Sequence, residues 1–364
     1  MPFRITRTCL FVVLAALVIG ACGGGTPPVT TGTNTPAAVA SPAGTAVIPN
    51  TPAQPLTVAV ISLTVGNKLV YIAKAEGYFD QLQLPVTILD NTGPNLLNLV
   101  VSGQADIGYG GLPTAFLPVP EGKPTSILFT YQGNGAGGFV VGAKNIKSLD
   151  QVKRMGAGVP GTSTFGYCAW YKASLKASFD CVPMETAARR SAVLSGQIDA
   201  ALDVYSQLID PIAKGDLNIL IDTRDAAVRK KYIGDDFGET AIFALTDVIK
   251  QKSDSFIRFM RGIGMALQFA DTKSDDEIAA SLKKLKTFET FTPAQLAAQE
   301  KGYRQFNHPN KGYITEENWN FALTQYAGWG LGASFDAKSP TYSYAQRVDM
   351  SYYDRGIGKP PGVK

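Results

Sequence analysis

The sequence predicts an α/β protein of two similar lobes, each a mostly parallel sheet flanked by helices. Three observations carry this. First, the stretch Val100–Val101–Ser102–Gly103–Gln104–Ala105–Asp106 recurs as Val193–Leu194–Ser195–Gly196–Gln197–Ile198–Asp199. In both copies an apolar helical pattern runs into Ser-Gly, and an Asp then opens a β-like run. Glycine takes the left-handed conformation that ends a helix, and a short loop then feeds a parallel strand. Second, strand, helix, strand, helix and strand patterns follow one another from Leu56 through the first copy to Tyr109, which implies right-handed crossovers in a parallel sheet. Third, a chain of 364 residues has length for two domains with ample core.

The totals narrow the function. The chain is 45% hydrophobic and 18% charged, with a formal net charge of +4. No Lys/Arg run is dense enough for a nucleic-acid footprint, so no nucleic-acid partner is expected. His308 is the only histidine. That scarcity excludes most Ser-His and Cys-His hydrolases and most His-based metal sites. No catalytic residue, metal or cofactor is assigned.

The N-terminus is an address. Arg4 and Arg7 precede the apolar run Cys9–Leu10–Phe11–Val12–Val13–Leu14–Ala15–Ala16–Leu17–Val18–Ile19. The run is shorter than the roughly 20 residues of a membrane span and reads as an export signal over 1–21. Ile19–Gly20–Ala21–Cys22 resembles the bacterial lipobox, which implies acylation of Cys22 and a membrane anchor. Residues 22–55, rich in Gly, Thr, Pro and Ala, cannot bury enough surface to fold and read as a tether. Cys168 and Cys181 remain for an oxidising compartment, where a disulfide is allowed. A helix length of chain between them counts against the pairing.

The folded part follows. Leu56–Ile61 is a strand, and a helix runs from Asn67 to about Glu76, stopped by Gly77. Pro85–Leu89 is the next strand, Gly93–Pro94 opens a second helix, and Asp106–Tyr109 is the third strand. Ser126–Thr130 and Phe139–Gly142 are strands flanking Gly133–Asn134–Gly135–Ala136–Gly137–Gly138. That loop matches G-x-G-x-x-G by letter but joins strand to strand, so it is no dinucleotide site. It either lets backbone approach a ligand or makes a tight turn.

Lobe two is expected over 143–237, and lobe one over 56–142 with 238–364. Gly156–Val159 is a strand, and Pro160–Phe165 leads into a helix bearing Trp170 and Tyr171. After the second copy of the repeat comes Ala200–Tyr205, and Thr240–Leu245 is a crossover strand. Ser255–Ala270 is a helix with Phe256, Phe259, Ile263 and Leu267 at core spacing. The tyrosine-rich tail after Ser339 is expected to pack on the surface of lobe one.

Two stretches carry a family resemblance. Leu69–Val70–Tyr71–Ile72–Ala73–Lys74–Ala75–Glu76–Gly77–Tyr78–Phe79 resembles the A-K-x-x-G-Y-F signature of ABC-transporter solute-binding proteins of the NMT1/SsuA-like group. Ser102–Gly103–Gln104–Ala105–Asp106–Ile107–Gly108 is similar to the G-x-x-D-I-G element that follows in that group. The likeness extends more weakly over about Leu56 to Gly328. It implies a type II periplasmic-binding fold, a small molecule clamped in the cleft, and delivery to an ABC permease from the outer side of a membrane.

Ligands in open parallel sheets bind beyond the carboxyl ends of the strands. The repeated Asp106 and Asp199 lie at strand starts and are expected to be structural. The ligand-binding candidates are Ser62, Asn67, Tyr109, Gly110, Gly111, Tyr131 and Gln132 in lobe one. In lobe two they are Thr162, Ser163, Thr164, Asp203 and Tyr205. Thr162 to Thr164 fall where a helix start exposes free N–H groups, a cradle for an oxyanion or carbonyl. Asp203 either accepts N–H bonds from the ligand or is a solvated loop acid. No Arg or Lys falls at a predicted strand end, which favours an aromatic heterocycle of pyrimidine or flavin type over a sulfonate- or nitrate-type oxyanion. The same resemblance includes pyrimidine synthases. Their chemistry needs a histidine and a cysteine cluster, and this chain has only His308 and no cluster, so binding without turnover by a monomer is expected. A sensor lipoprotein without a permease is the remaining alternative.

Overall fold

The computed structural model describes residues 51–364, apart from Asn91, Gly161, 206–207, 235–236, 308–309, 330–334 and Lys364. The export signal, Cys22, most of the tether and His308 therefore lie outside the described residues.

Two five-stranded sheets form the frame. The first is ordered β2-β1-β3-β10-β4, from β1 (Leu56–Val60), β2 (Val86–Leu89), β3 (Ile107–Gly111), β4 (Thr125–Thr130) and β10 (Thr240–Leu245). The second is ordered β7-β6-β8-β5-β9, from β5 (Phe139–Ala143), β6 (Arg154–Ala157), β7 (Asp180–Pro183), β8 (Ala200–Asp203) and β9 (Leu217–Ile221). In each sheet four strands run parallel and one opposes them, β10 in the first and β5 in the second. The opposing strands are the two that arrive from the other sheet. Each therefore starts on the edge where its four neighbours end.

The repeated turns are built alike. Gly103 and Gly196 have φ of 77° and 73°. Asp106 accepts from the Thr57 N–H at 2.9 Å, and Asp199 from the N–H groups of Lys153 and Arg154 at 2.9 and 2.8 Å. Each carboxylate thus caps the start of the central strand beside it, β1 or β6.

Five expectations change. β5 hydrogen-bonds to β8 and β9, so the division expected at 142/143 falls inside a strand of the second sheet. The crossover lies just before it, in the glycine-rich loop. β9 is an additional strand that the pattern reading passed over, and β6 starts two residues earlier than the expected Gly156. Cys168 and Cys181 form a disulfide with Cα atoms 5.9 Å apart. The helix Ser163–Ser174 doubles back into β7, so its middle, and not its far end, lies over the strand start. The tail after Ser339 is no surface wrapping. Tyr342, Tyr352 and Tyr353 are buried, with Tyr342 against Phe116 and Tyr353 stacked on Phe129. These rings cover apolar surface of the first sheet that would otherwise face water.

Candidate functional site

Both sheets turn their carboxyl edges to a common seam. On the first sheet, β1 leads through Ser62 to Asn67, whose side-chain N–H donates to the Ser62 carbonyl at 2.8 Å. That bond fixes the loop ahead of the helix Lys68–Ala75. Gly111, at the end of β3, marks the seam: a Cβ built there would lie 3.1 Å from Ser163 Oγ on the other lobe.

Tyr109 and Tyr131 do not line the seam as open rings. Both are fully buried; the Tyr109 hydroxyl has no hydrogen-bond partner among the described residues, and the Tyr131 hydroxyl interacts with the Lys68 ammonium. Burial raises both phenols above their ordinary range. Tyr131 lies beside an interior ion pair, Lys68 Nζ to Glu300 at 2.8 Å, in which both side chains are essentially inaccessible at 1% and 0%, and Arg304 Nε stands 3.4 Å from the other Glu300 oxygen. The Lys68 ammonium lies 5.0 Å from the centre of the Tyr131 ring. Burial alone would lower Lys68, but Tyr131 and Glu300 outweigh it and hold the ammonium above its ordinary value. Gln132 accepts from the Thr240 hydroxyl at 2.9 Å, and its amide packs where a Cβ on Gly66 would stand. Gly110 packs against Ile61 and Leu96.

On the second sheet, Thr162 caps the helix Ser163–Ser174 by accepting from Phe165 N–H at 3.4 Å. Thr164 accepts from Gly158 N–H at 3.0 Å. Two of the three hydroxyls are thus engaged locally, and Ser163 is the one opposite Gly111. Asp203, at the end of β8, takes a fork from Arg190 at 2.8 and 3.3 Å and lies 3.7 Å from Arg189. It is a buried, paired carboxylate, neither solvated nor unengaged. Tyr205 packs on Phe139 and against Gly302 of the helix Pro293–Tyr303, which belongs to the first lobe.

Three seam residues escaped the sequence reading. Arg224 follows β9 and holds Asp222 in a fork at 2.8 and 2.6 Å. Its guanidinium lies 3.7 Å from the Tyr205 ring centre, and a quarter of the side chain is exposed. A cation therefore does stand at a strand end. The apolar run Leu217–Ile221 just ahead of it was the available signal. Glu239 precedes β10 and is buried. It accepts from the Gly137 N–H at 3.0 Å and from the Tyr167 hydroxyl at 2.9 Å, while Tyr167 accepts from the Gly135 N–H at 2.6 Å. Burial pushes its carboxyl up to about 7, against the lowering pull of those donors. The glycine-rich loop thus wraps an internal carboxylate. The third, Glu300, carried no local signal.

Among the described residues no group of three or more His, Cys, Asp or Glu could hold a metal ion, and no helix is long and apolar enough to cross a membrane. The arrangement offers two facing edges with hydroxyls, an arginine stacked on an aromatic ring, and backbone crossovers between them.

Comparison with curated proteins finds no match at the level of sequence. Solved structures do match in fold. The ligand-binding component of an ABC-type import system from Staphylococcus aureus, solved with zinc bound, aligns over 84% of this chain and 100% of its own, at 12% identity and TM-score 0.66. The periplasmic nitrate-binding protein NrtA from Synechocystis PCC 6803 aligns over 84% and 88%, at 15% identity and TM-score 0.64. The alkanesulfonate-binding protein SsuA from Xanthomonas axonopodis pv. citri, bound to MOPS, aligns over 77% and 95%, at 13% identity and TM-score 0.59. The model of the family described as NMT1/THI5 like matches residues 68–276, more than half the chain. On that match the chain belongs to the NMT1/THI5-like family, and it has the periplasmic-binding-protein fold.

Proposed function

We propose that this protein is the solute-binding component of an ABC importer, held to the outer face of a membrane through Cys22 and working as a monomer. It takes a small oxyanion of the sulfonate or nitrate class and hands it to a permease by lobe closure. The observation that carries the ligand class is Arg224, partly exposed and stacked on Tyr205 where that ring meets the first lobe. The heterocycle reading rested on there being no cation at a strand end, and Arg224 removes that premise. A guanidinium laid flat on a ring keeps its edge N–H groups in plane and can share them between Asp222 and an incoming oxyanion. Ser163 and the start of its helix supply further donors from the same lobe. Closure then follows from a ligand that touches both edges and so binds the closed arrangement more tightly.

Thermal-shift titration tests the ligand class. Methanesulfonate, ethanesulfonate or nitrate should raise the melting midpoint with concentration, and Arg224→Ala should abolish the rise. Stabilisation by pyrimidines or flavins alone would restore the heterocycle reading. The mass of the mature N-terminus tests the anchor, expected as an acylated Cys22.

A further inference from the structure

Glu239 sits where the two chain crossovers meet. Its backbone belongs to the first lobe: its N–H donates to the Gln132 carbonyl, and its carbonyl accepts from Leu112 N–H, both at 2.8 Å. Its carboxylate belongs to the other side, held by the Gly137 N–H ahead of β5 and by Tyr167 on the second lobe's helix. These partners are neutral. The arrangement is that of joined lobes, since Gly111 meets Ser163 and Tyr205 meets Gly302 across the seam. A rotation separating Gly111 from Ser163 carries the helix Ser163–Ser174 away from Glu239 and lets water reach the carboxyl.

We propose that closure of the two lobes is proton-linked through Glu239: the closed arrangement buries the carboxyl between the crossovers, where it holds a proton that the opened, hydrated arrangement releases. A buried carboxyl among neutral donors prefers its uncharged form, whereas water stabilises the charged one. The facing groups from the surrounding elements are Tyr167 and Tyr171 on the helix Ser163–Ser174 and Tyr326 on the helix Glu316–Ala327. The glycine-rich loop brings only amides. Arg229 packs its Cδ on the far side of that loop at Gly135 and spends its guanidinium on the Thr223 carbonyl at 2.7 Å. None of the tyrosines changes charge near neutrality, because each is raised by burial. Among the described residues Glu239 is thus the group that titrates there, around 7 when buried. Acidification should favour the closed arrangement, since it is the closed carboxyl that binds its proton more tightly. The inference rests on the receptor reading above.

The test measures the distance between spin labels on Glu121→Cys and Lys214→Cys, one exposed position on each lobe, with the native disulfide intact. Titration runs from about pH 8.5 to about pH 5.5, with and without a panel of alkanesulfonates, nitrate, pyrimidines and flavins. The closed-to-open ratio should rise by up to ~10-fold for each pH unit below about 7, and Glu239→Gln should hold the acid-like distribution at every pH. The infrared band of a protonated carboxyl, read on the chain carrying native Glu239, should appear in step with the shortening. This band keeps the question open to test should the Gln variant fail to fold. A distance that shortens with a solute but not with acid, or the same pH response in Glu239→Gln, overturns the proton linkage alone. A distance insensitive to both acid and every solute overturns the receptor reading and this inference with it.

Discussion

The two lobes share a strand order, yet they handle charge at their facing edges in opposite ways. The first lobe hides its charge. Lys68 and Glu300 pair out of reach of water beside Tyr131. The second lobe buries Arg189 beside Asp203 but keeps two arginines part-exposed, Arg190 on Asp203 and Arg224 on Asp222, at 28% and 25% of side-chain surface. A buried ion pair cannot change partners without a large desolvation penalty. Arg224 can, because its partner Asp222 is itself part-exposed, so water screens that carboxylate and fills any position the arginine leaves. The first lobe therefore reads as a rigid wall and the second as the face that exchanges partners with a ligand. Glu239 lies between these regimes, buried like Glu300 but held by neutral donors, which is why its charge is labile.

Four substitutions sharpen or break this contrast. Lys68→Met should cost the most, about 3–5 kcal/mol, because it removes the buried partner of Glu300 and leaves only Arg304, at 3.4 Å, to offset that interior charge. Combining it with Glu300→Leu should recover most of that loss. Equal and additive costs in denaturant unfolding would show that the pair does not act as one unit. Glu239→Gln comes next, with an effect that depends on pH. A carboxyl raised to about 7 in the fold stabilises while protonated, fully so below the ordinary carboxyl range near 4.3. That contribution is lost as pH rises through about 7. The variant should gain up to ~3 kcal/mol over the native chain at alkaline pH and nothing near the ordinary carboxyl value. A pH-independent difference in unfolding midpoint would refute this.

Replacing Cys168 and Cys181 by Ala should cost about 2–3 kcal/mol, by freeing the short loop they close in the unfolded chain. The loss should appear in unfolding of the second lobe, read from hydrogen exchange in β6 to β8, with β1 to β3 unaffected. Arg224→Ala should be the mildest for stability, under ~1 kcal/mol. Its effect belongs to oxyanion binding, and a large loss of stability would place Arg224 in the wall instead of the exchanging face.

Much of the frame was legible in the chain. The duplicated Ser-Gly-Gln turns announced two matching units because a left-handed glycine and a strand-capping aspartate are needs of local backbone geometry. The crossover strand Thr240–Leu245 was legible as an apolar run with the expected bounds. The disulfide was misjudged because chain separation says nothing of how a helix folds back on the next strand. β9 was passed over, and Arg224 with it, so the preference for a heterocycle followed from a cation that went unnoticed. Tyr109 and Tyr131 were expected at the seam because they end strands. The structure buries them both, Tyr131 beside Glu300 of the helix Pro293–Tyr303, which comes from far along the chain.

By itself the sequence determined the two-lobe α/β plan, the turns that repeat it, and the family, all of which depend on short-range patterns of apolar period, glycine and cap. Tertiary structure alone decided which charges meet. Lys68 finds Glu300, Tyr205 finds Arg224 and Glu239 finds Tyr167 only after the crossovers bring separate elements together. The physical reason is that an ionic side chain is indifferent to its neighbours in sequence while water surrounds it, and becomes selective only when folding removes that water.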